Sequence, residues 1–443
     1  MPIYSKEEAQ ALLKKVLSYS KADECEVSLR GNDGGNIRTA LNAVSTAGDI
    51  STVSLAVSSV YGKKTGTATI NEFDDASLEK VVRRAEELAQ LAPENPETMP
   101  MLGPQTFKDS IAYNPATAAM TPESRAEMVG QSLDVTKAAN LQAAGFLENT
   151  TRFSAVMNSK GLFAYDKSTD VIYSVTTRNA AGTISGYAAR GFTDVKKMDT
   201  ASATKIATQK ALSSASPKAI EPGKYTVILE PVAAVYMLEN MFRFDARSAE
   251  EGRSFLSKKG GGTRLGEKLM DDKVNIYSDP FNTELPGPTW NGDGMPLERT
   301  DWIKEGVVKN LSYSRYWAQK KGVTPVPGPS NIIMDGGTTS LEEMIKSTER
   351  GILVSRLWYI RMVDPQSLLL TGLTRDGTFY IENGQIKFPV KNFRFNESPV
   401  IMLNNVEALG KPERTISVES YRSYLIPPMK IRDFTFTSLS DAV

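Results

Sequence analysis

The sequence predicts an α+β protein: two helix-flanked antiparallel-sheet units followed by a β-rich C-terminal domain. Three observations carry this. Apolar residues recur at helical spacing in a few stretches, and period-two alternation dominates between them. From Gly223 onward, short β-rich runs separated by Gly and Pro replace the helical pattern. The length of 443 residues gives room for two or three such units, each able to bury a core.

Taken in order, Ser5 with Glu8 makes a capping-box pair, and Leu12, Leu13, Val16 and Leu17 share one face, so a helix runs to about Ser18. Glu24 to Leu29 alternates, with Cys25, Val27 and Leu29 inward. Ile37–Val44 and Ser51–Tyr61 read as strands, and Gly62 to Gly66 turns the chain into Thr67–Ile70, completing an antiparallel meander. Asp74 or Asp75 caps a helix carrying Leu78, Val81, Val82, Ala85, Leu88 and Ala89, which Pro93 and Pro96 end. These elements form a first unit over residues 1–100. The aperiodic stretch from Pro93 to about Pro115, rich in Pro, Thr and Met, reads as a linker. A second unit, 101–221, repeats the order: a helix opened by Thr121-Pro122-Glu123, strands between Ala144 and Phe192, and a helix near Thr200–Leu212. The repeated order hints at a structural duplication without a residue-level repeat. In 222–443, Tyr225–Leu229 is a strand and Pro231 to about Phe244 a nearly all-apolar helix. Thr339 with Glu342 caps another helix through Ser347, and Asn383-Gly384 marks a hairpin.

Composition removes whole classes of function. Lys plus Arg and Asp plus Glu both total 52, so no basic field collects phosphates and nucleic-acid binding is not expected. No apolar run approaches the roughly 18 to 20 residues of a membrane span. The first eight residues show no basic stretch leading into an apolar one, which places the expected location in the cytoplasm. Cys25 is the single cysteine, excluding an intramolecular disulfide and any cysteine cluster for a metal. The chain has no histidine, which removes zincin sites, Ser-His-Asp triads and Cys-His dyads together.

Few residues suggest chemistry. Lys258 to Arg264 encloses three glycines between cations but fails the P-loop pattern, because Gly266 is followed by Glu267; it reads as a loop. Ser77-Leu78-Glu79-Lys80 has serine-lysine spacing but opens an ordinary helix. The pairs Glu250-Glu251 and Asp271-Asp272 read as solvated surface. Glu239, a carboxylate in the apolar helix, stands out. An ion pair with Arg243 one turn on is the first reading, with peptide binding and catalysis as the others.

Several segments in colinear order resemble one family. They include Tyr61 to Thr69 with the following helix and its Ala92-Pro93-Glu94-Asn95-Pro96 exit, Asn158-Ser159-Lys160-Gly161, and Pro222-Gly223-Lys224-Tyr225 leading into Ile228-Leu229-Glu230-Pro231. Asp293-Gly294-Met295-Pro296, Met334-Asp335-Gly336-Gly337, Glu349-Arg350-Gly351-Ile352, Val363-Asp364-Pro365 and Phe388-Pro389-Val390-Lys391 follow. From about residue 20 to 432 the chain is thereby identified as resembling the TldD/PmbA (TldE) metalloprotease family, whose members have also carried the label modulator of DNA gyrase. The resemblance implies that a TldD-type subunit holds a metal with a His-Glu-x-x-x-His helix and a C-terminal cysteine, which the PmbA/TldE type lacks. Here Glu239, Asn240 and Phe244 fall where the first His, the catalytic Glu and the second His would be; a one-residue gap would instead match Glu239 to the catalytic Glu. Neither register supplies an imidazole, and Arg414 to Ser423, where the cysteine would lie, has no cysteine.

The resemblance therefore implies the PmbA/TldE type: a non-catalytic or metal-free subunit of a TldD/TldE-like peptidase complex acting on unfolded or extended peptides, with no cofactor, metal or catalytic residue of its own. Its partner would be a TldD-like metal-bearing homologue or a second copy of itself, using the apolar helix and Tyr313 to Trp317 as surface. A metal-free hydrolase and a stand-alone peptide-binding homodimer are the alternatives.

Overall fold

The computed structural model describes residues 3–417 and 419–440; Met1 and Pro2 of the start, Val418 of the tail segment, and Asp441, Ala442 and Val443 at the end of the 222–443 unit lie outside the described residues. Helix α1 (Lys6–Ser18) begins at the expected capping box, with Ser5 and Glu8 bonding each other's backbone, and buries Ala9, Leu13 and Val16. Strands β1 (Glu24–Ala40), β2 (Ala43–Tyr61) and β3 (Lys64–Ile70) form the meander, and α2 (Asp75–Leu91) starts at Asp74, whose carboxylate accepts from the Ser77 amide. The break expected between Val44 and Ser51 does not occur. Instead the hairpin turns at Leu41 and Asn42, both at positive φ. Asn42 is fixed there by the second unit: its amide donates to the Leu141 carbonyl at 2.7 Å and its oxygen accepts from the Ala143 amide at 2.7 Å and the Thr136 hydroxyl at 2.9 Å. Those partners lie about 100 residues away, beyond the reach of local pattern.

After a short helix α3 (Pro115–Ala118), α4 (Pro122–Ala138) starts at Thr121 as expected. Then come β4 (Gln142–Asn158), β5 (Phe163–Arg178), β6 (Ser185–Phe192) and α5 (Thr200–Ser213). The two meanders share one six-stranded sheet, in the order β3-β2-β1-β4-β5-β6, because β1 and β4 pair antiparallel from Glu26 opposite Asn158 to Thr39 opposite Gly145. The order reads the same from both ends, so the repeat in element order becomes an approximate two-fold in space. Helices cover one face. Leu78, Val81 and Val82 pack with Val27, Leu29 and Leu55, and Val129, Leu133, Ala203 and Ala207 pack with Leu147, Val171 and Val175. The other face carries the polar members of each alternating strand.

The two outer strands solve one packing problem in the same way. A Cβ at Gly66 of β3 would overlap the α2 backbone at Ala85 and Ala89, and a Cβ at Gly186 of β6 would overlap the α5 backbone at Ala207 and Ala211. Helix and strand approach so closely that only glycine fits. Gly186→Ala is expected to lower stability by about 1 to 3 kcal/mol through forced separation of α5 from the sheet, read as a lowered urea midpoint; an unchanged midpoint would show that the helix can move freely.

The linker is tied down rather than loose. Arg247 pairs with Glu97 at 2.8 Å, Arg315 donates to the Pro100 carbonyl at 2.6 Å, and the Thr169 amide donates to the Ala112 carbonyl at 2.9 Å.

Beyond it lie β7 (Gly223–Leu229), α6 (Pro231–Leu238), α7 (Ala246–Glu250), β8 (Ile276–Ser278), β9 (Thr300–Lys304), β10 (Val307–Val308), α8 (Arg315–Lys321), β11 (Ile333–Met334) and α9 (Leu341–Lys346). The N-cap of α9 is Ser340, with Glu343 closing the box, one residue later than expected from Thr339 and Glu342. The long hairpin β12 (Arg350–Asp364) and β13 (Leu369–Glu382) follows. It continues through the Asn383-Gly384 turn, both residues at positive φ, into β14 (Gln385–Pro389). The chain ends with β15 (Phe393–Glu397), α10 (Pro399–Asn404), β16 (Val406–Leu409), β17 (Glu413–Ser417), β18 (Arg422–Ile426) and β19 (Met429–Leu439). One sheet runs β10-β9-β8-β11-β18-β17; the other runs β12-β7-β19-β15-β13-β14 and closes on itself through β12 and β13. Phe393, Phe395, Phe434 and Phe436 are fully buried in this core, with ring centroids 4.7 to 5.7 Å apart. Among the described residues no helix is long and apolar enough to cross a membrane.

Candidate functional site

A cleft of about 1290 Å³ opens between the polar face of the six-stranded sheet and the C-terminal region. Alternation along β4 sends Phe146, Glu148, Thr150 and Arg152 to the same side, and Arg38 of β1 and Asp170 of β5 join them. The opposite wall comes from the residues after α6 and from 419–424.

Helix α6 ends at Leu238, not near Phe244. The backbone beyond it pairs elsewhere: the Ser312 amide donates to the Phe244 carbonyl at 2.6 Å and the Ala246 amide to the Ser312 carbonyl at 3.0 Å. The Phe244 ring stacks on Trp302, centroids 5.1 Å apart and 8° from parallel. This tertiary pairing overrides the apolar helical pattern. It also separates Glu239 from Arg243, and among the described residues the two form no ion pair, so the first reading of Glu239 is corrected. The Glu239 carboxylate instead accepts from the Ser420 hydroxyl at 3.0 Å.

The three positions matched to the family's metal helix thus part company. Glu239 and Asn240 line the cleft, with the Asn240 amide donating to the Tyr236 carbonyl at 3.3 Å; Phe244 is fully buried in the core. In the one-residue-shifted register the first ligand position is Leu238, also fully buried, and the second is Arg243, which is exposed at the cleft. Residues Val232 to Leu238 are buried throughout and Trp317 is 6% exposed, so the helix proposed as a docking surface is core and Trp317 is largely so.

Burial pushes the Glu239 carboxyl above the usual range, the Ser417 and Ser420 hydroxyls pull it back, and neighbouring Glu419 adds to the rise while Arg422 opposes it. A carboxyl whose folded-state pKa is raised binds its proton more tightly in the folded chain. Ionised at neutral pH it opposes folding, and that cost fades as pH falls through the raised pKa toward the unfolded value. Glu239→Gln is therefore expected to match or exceed wild-type stability at pH 7, with the difference shrinking toward about pH 4.5. Urea midpoints at the two pH values check this, and a clear loss at pH 7 would reinstate an ion-paired role.

The residues present do not suit the family's metal. The segment matched to the metal helix brings to the cleft one carboxylate already accepting from serine, a neutral amide and the cation Arg243, and of the other lining carboxylates Asp170 is paired with Arg152 and Arg414, where zinc or iron needs several converging anionic or imidazole donors. Among the described residues no group of three or more His, Cys, Asp or Glu could hold a metal ion.

Sequence reading missed the groups that join the walls. Arg414 of β17, 9% exposed, donates to Asp170 at 3.2 Å, to the Thr193 hydroxyl at 2.9 Å and to the Glu284 carbonyl at 2.9 Å, while Arg152 pairs with the other Asp170 oxygen at 3.2 Å. Residues 244 positions apart share no local signal. The remaining candidates stay outside the cleft. Lys258 pairs with Glu267 at 2.9 Å in an exposed loop, and the Ser77 hydroxyl donates to Glu72 at 3.1 Å. Asp271 and Asp272 pair with Lys273 and Lys268. Glu251 pairs with Arg247 at 3.0 Å, whereas Glu250 is turned partly inward onto Lys321 rather than fully solvated. Cys25 is 1% exposed, and burial pushes its thiol up.

Two family models match the chain: PmbA/TldA metallopeptidase C-terminal domain over residues 222–438, and PmbA/TldA metallopeptidase domain 1 over residues 25–89. Among curated proteins, the chain is 28% identical over 172 residues to Metalloprotease PmbA of Escherichia coli O157:H7, covering 38% of this chain and 37% of that protein. It is 24% identical over 211 residues to a metalloprotease of Methanothermobacter thermautotrophicus, covering 43% and 44%. These matches thus span less than half the length of those relatives. Among solved structures, TldE from Thermococcus kodakarensis superposes with a TM-score of 0.85 at 18% identity, over 97% of this chain and 99% of that one. A Thermotoga maritima protein named for DNA gyrase modulation gives 0.84 at 17% identity, over 97% and 100%. At such identities these two establish the shared fold.

Proposed function

The chain belongs to the PmbA/TldD family, and on that premise we propose that it is a metal-free subunit of a TldD/TldE-like peptidase complex that holds unfolded or extended peptides in its cleft. One observation carries the reading. The segment standing where the family's metal helix would run delivers to a cleft of about 1290 Å³ a lone carboxylate fastened to serine, in a chain without histidine. The cleft floor is a sheet face with alternating charged and hydroxyl groups, suited to a main chain whose side chains vary. The partner is a TldD-like metal-bearing homologue, or a second copy of this chain. Exposed apolar residues of two hairpins that also line the cleft through Arg38 and Ile360, Leu41 and Val44 in one and Tyr359 and Val363 in the other, offer such a partner surface: they are 74%, 53%, 55% and 55% exposed.

The test is recovery from the native cell followed by reconstitution. A pull-down is expected to return a His-Glu-x-x-x-His homologue, and peptide cleavage to require both chains and a chelatable metal. Cleavage by this chain alone in the presence of chelator would establish a metal-free hydrolase instead. A monomer by light scattering with no partner recovered would leave a stand-alone binding module.

A further inference from the structure

A second cavity, of about 540 Å³, lies on the same sheet face and shares Arg152 and Asp170 with the main cleft. Strand register sets its floor. Ser54, Arg30, Ser154 and Asp166 form one rung across β2, β1, β4 and β5, and Thr52, Asn32, Arg152 and Ser168 form the next. Rungs of this kind lie about 7 Å apart, with about 4.8 Å between neighbouring strands. Pro286-Gly287-Pro288 makes one wall. It is anchored next door, where the Thr289 amide donates to Asp166 at 2.8 Å, and its prolines bring no N–H of their own.

The floor is divided into spent and unspent groups. Asp166 is taken up by Thr289, and Asp170 by Arg152 and Arg414. Among the described residues, by contrast, the Arg30 guanidinium makes no ion pair or hydrogen bond, and Glu26 on the same strand feels its charge only at longer range. The Asn32 side-chain oxygen is shielded from solvent and receives no donor. A sealed acceptor without a donor is costly and rare. The cavity therefore presents an exposed guanidinium and, one rung away on a half-buried Asn32, an acceptor that lacks an N–H and meets one when its amide turns toward the cavity.

A peptide's carboxyl terminus carries both complements: a carboxylate, and one amide N–H on the same residue. We infer that this cavity receives the C-terminal residue of an extended peptide whose preceding residues lie in the main cleft, with Arg30 binding the carboxylate and Asn32 accepting from the last amide. An amino terminus would meet the Arg30 cation, so the arrangement also fixes chain direction. The inference rests on the reading that the cleft holds peptides.

The experiment uses the full chain and an unstructured decapeptide, labelled with fluorescein at its amino terminus, as the free acid and as the C-terminal amide. Fluorescence anisotropy is expected to show the free acid binding about tenfold tighter or more, as a charge-assisted bidentate contact gives. Arg30→Ala should bring the free acid down to the amide's affinity and leave the amide unchanged; Arg30 is exposed, and circular dichroism confirms the fold. Asn32→Ala should weaken both forms by a similar factor, since both keep the N–H. Equal binding of the two forms by wild type would overturn the anchor and leave the peptide reading standing. Binding of neither form would overturn both.

Discussion

Asp376→Asn is expected to lower stability by about 3 to 5 kcal/mol, among the largest effects any single substitution in this chain should produce. Asp376 accepts from Arg356 at 2.6 Å, with side chains 2% and 8% exposed. The Arg356 guanidinium also sits over the Tyr187 ring, 3.8 Å from its centroid, and over Trp358 at 4.8 Å. Tyr187 belongs to β6 of the first sheet and Arg356 to β12 of the closed sheet, so this pair fastens the two halves of the molecule together. Removing the carboxylate charge leaves a largely buried cation without its counter-charge. Asparagine is the informative replacement, because Asp376 sits at φ 54° and asparagine tolerates that left-handed backbone while keeping the shape. The double variant Asp376→Asn with Arg356→Met should recover most of the loss, since the apolar side chain no longer needs a partner. Denaturant unfolding checks both, and a single-variant loss under about 1 kcal/mol would mean that solvent still reaches the pair.

Phe244→Ala is expected to cost about 3 to 5 kcal/mol, with peptide affinity per folded molecule unchanged. Phe244 is fully buried and stacked on Trp302, itself fully buried, so truncation opens a cavity between rigid partners. The same position stands for the second ligand of the family's metal helix in one register, which makes Phe244→His the discriminating companion. A ring that pointed into the cleft would become a metal ligand when replaced by histidine. A ring in the core would only destabilise, because the imidazole is buried without a partner. Calorimetry with zinc is expected to show no gain in binding for Phe244→His together with a lowered melting temperature, and the reverse pair of results would place Phe244 at the cleft.

The sequence was most legible where structure is local. The capping groups at Ser5, Asp74 and Thr121 start helices at the expected residues, because the side chain and the amide it satisfies lie three positions apart. The alternation of Cys25, Val27 and Leu29 and the helical spacing of Leu78, Val81 and Val82 each record one buried face, and both sets meet in one core. Legibility failed where distant backbone competes. The turn at Leu41 and Asn42 is set by Leu141 and Ala143, and the end of α6 is set by Ser312. The Pro231 to Phe244 run is uniformly apolar, so its composition marks it as buried without marking where its backbone changes partners.

Sequence alone determined that no imidazole chemistry is possible here, that two helix-flanked antiparallel-sheet units precede a β-rich region, and that Glu239 is an anomaly in an apolar stretch. Those are statements about which atoms exist and about spacing of a few residues, both of which a linear chain displays. Tertiary structure alone decided that the two units share a single sheet, that Glu239 faces Ser420 rather than Arg243, and that Phe244 is core. It also decided that the polar sheet face becomes a cleft closed by Arg414 against Asp170. Each of these depends on groups brought together from far along the chain, where the free energy of burial and hydrogen-bond satisfaction is settled by packing rather than by neighbouring residues.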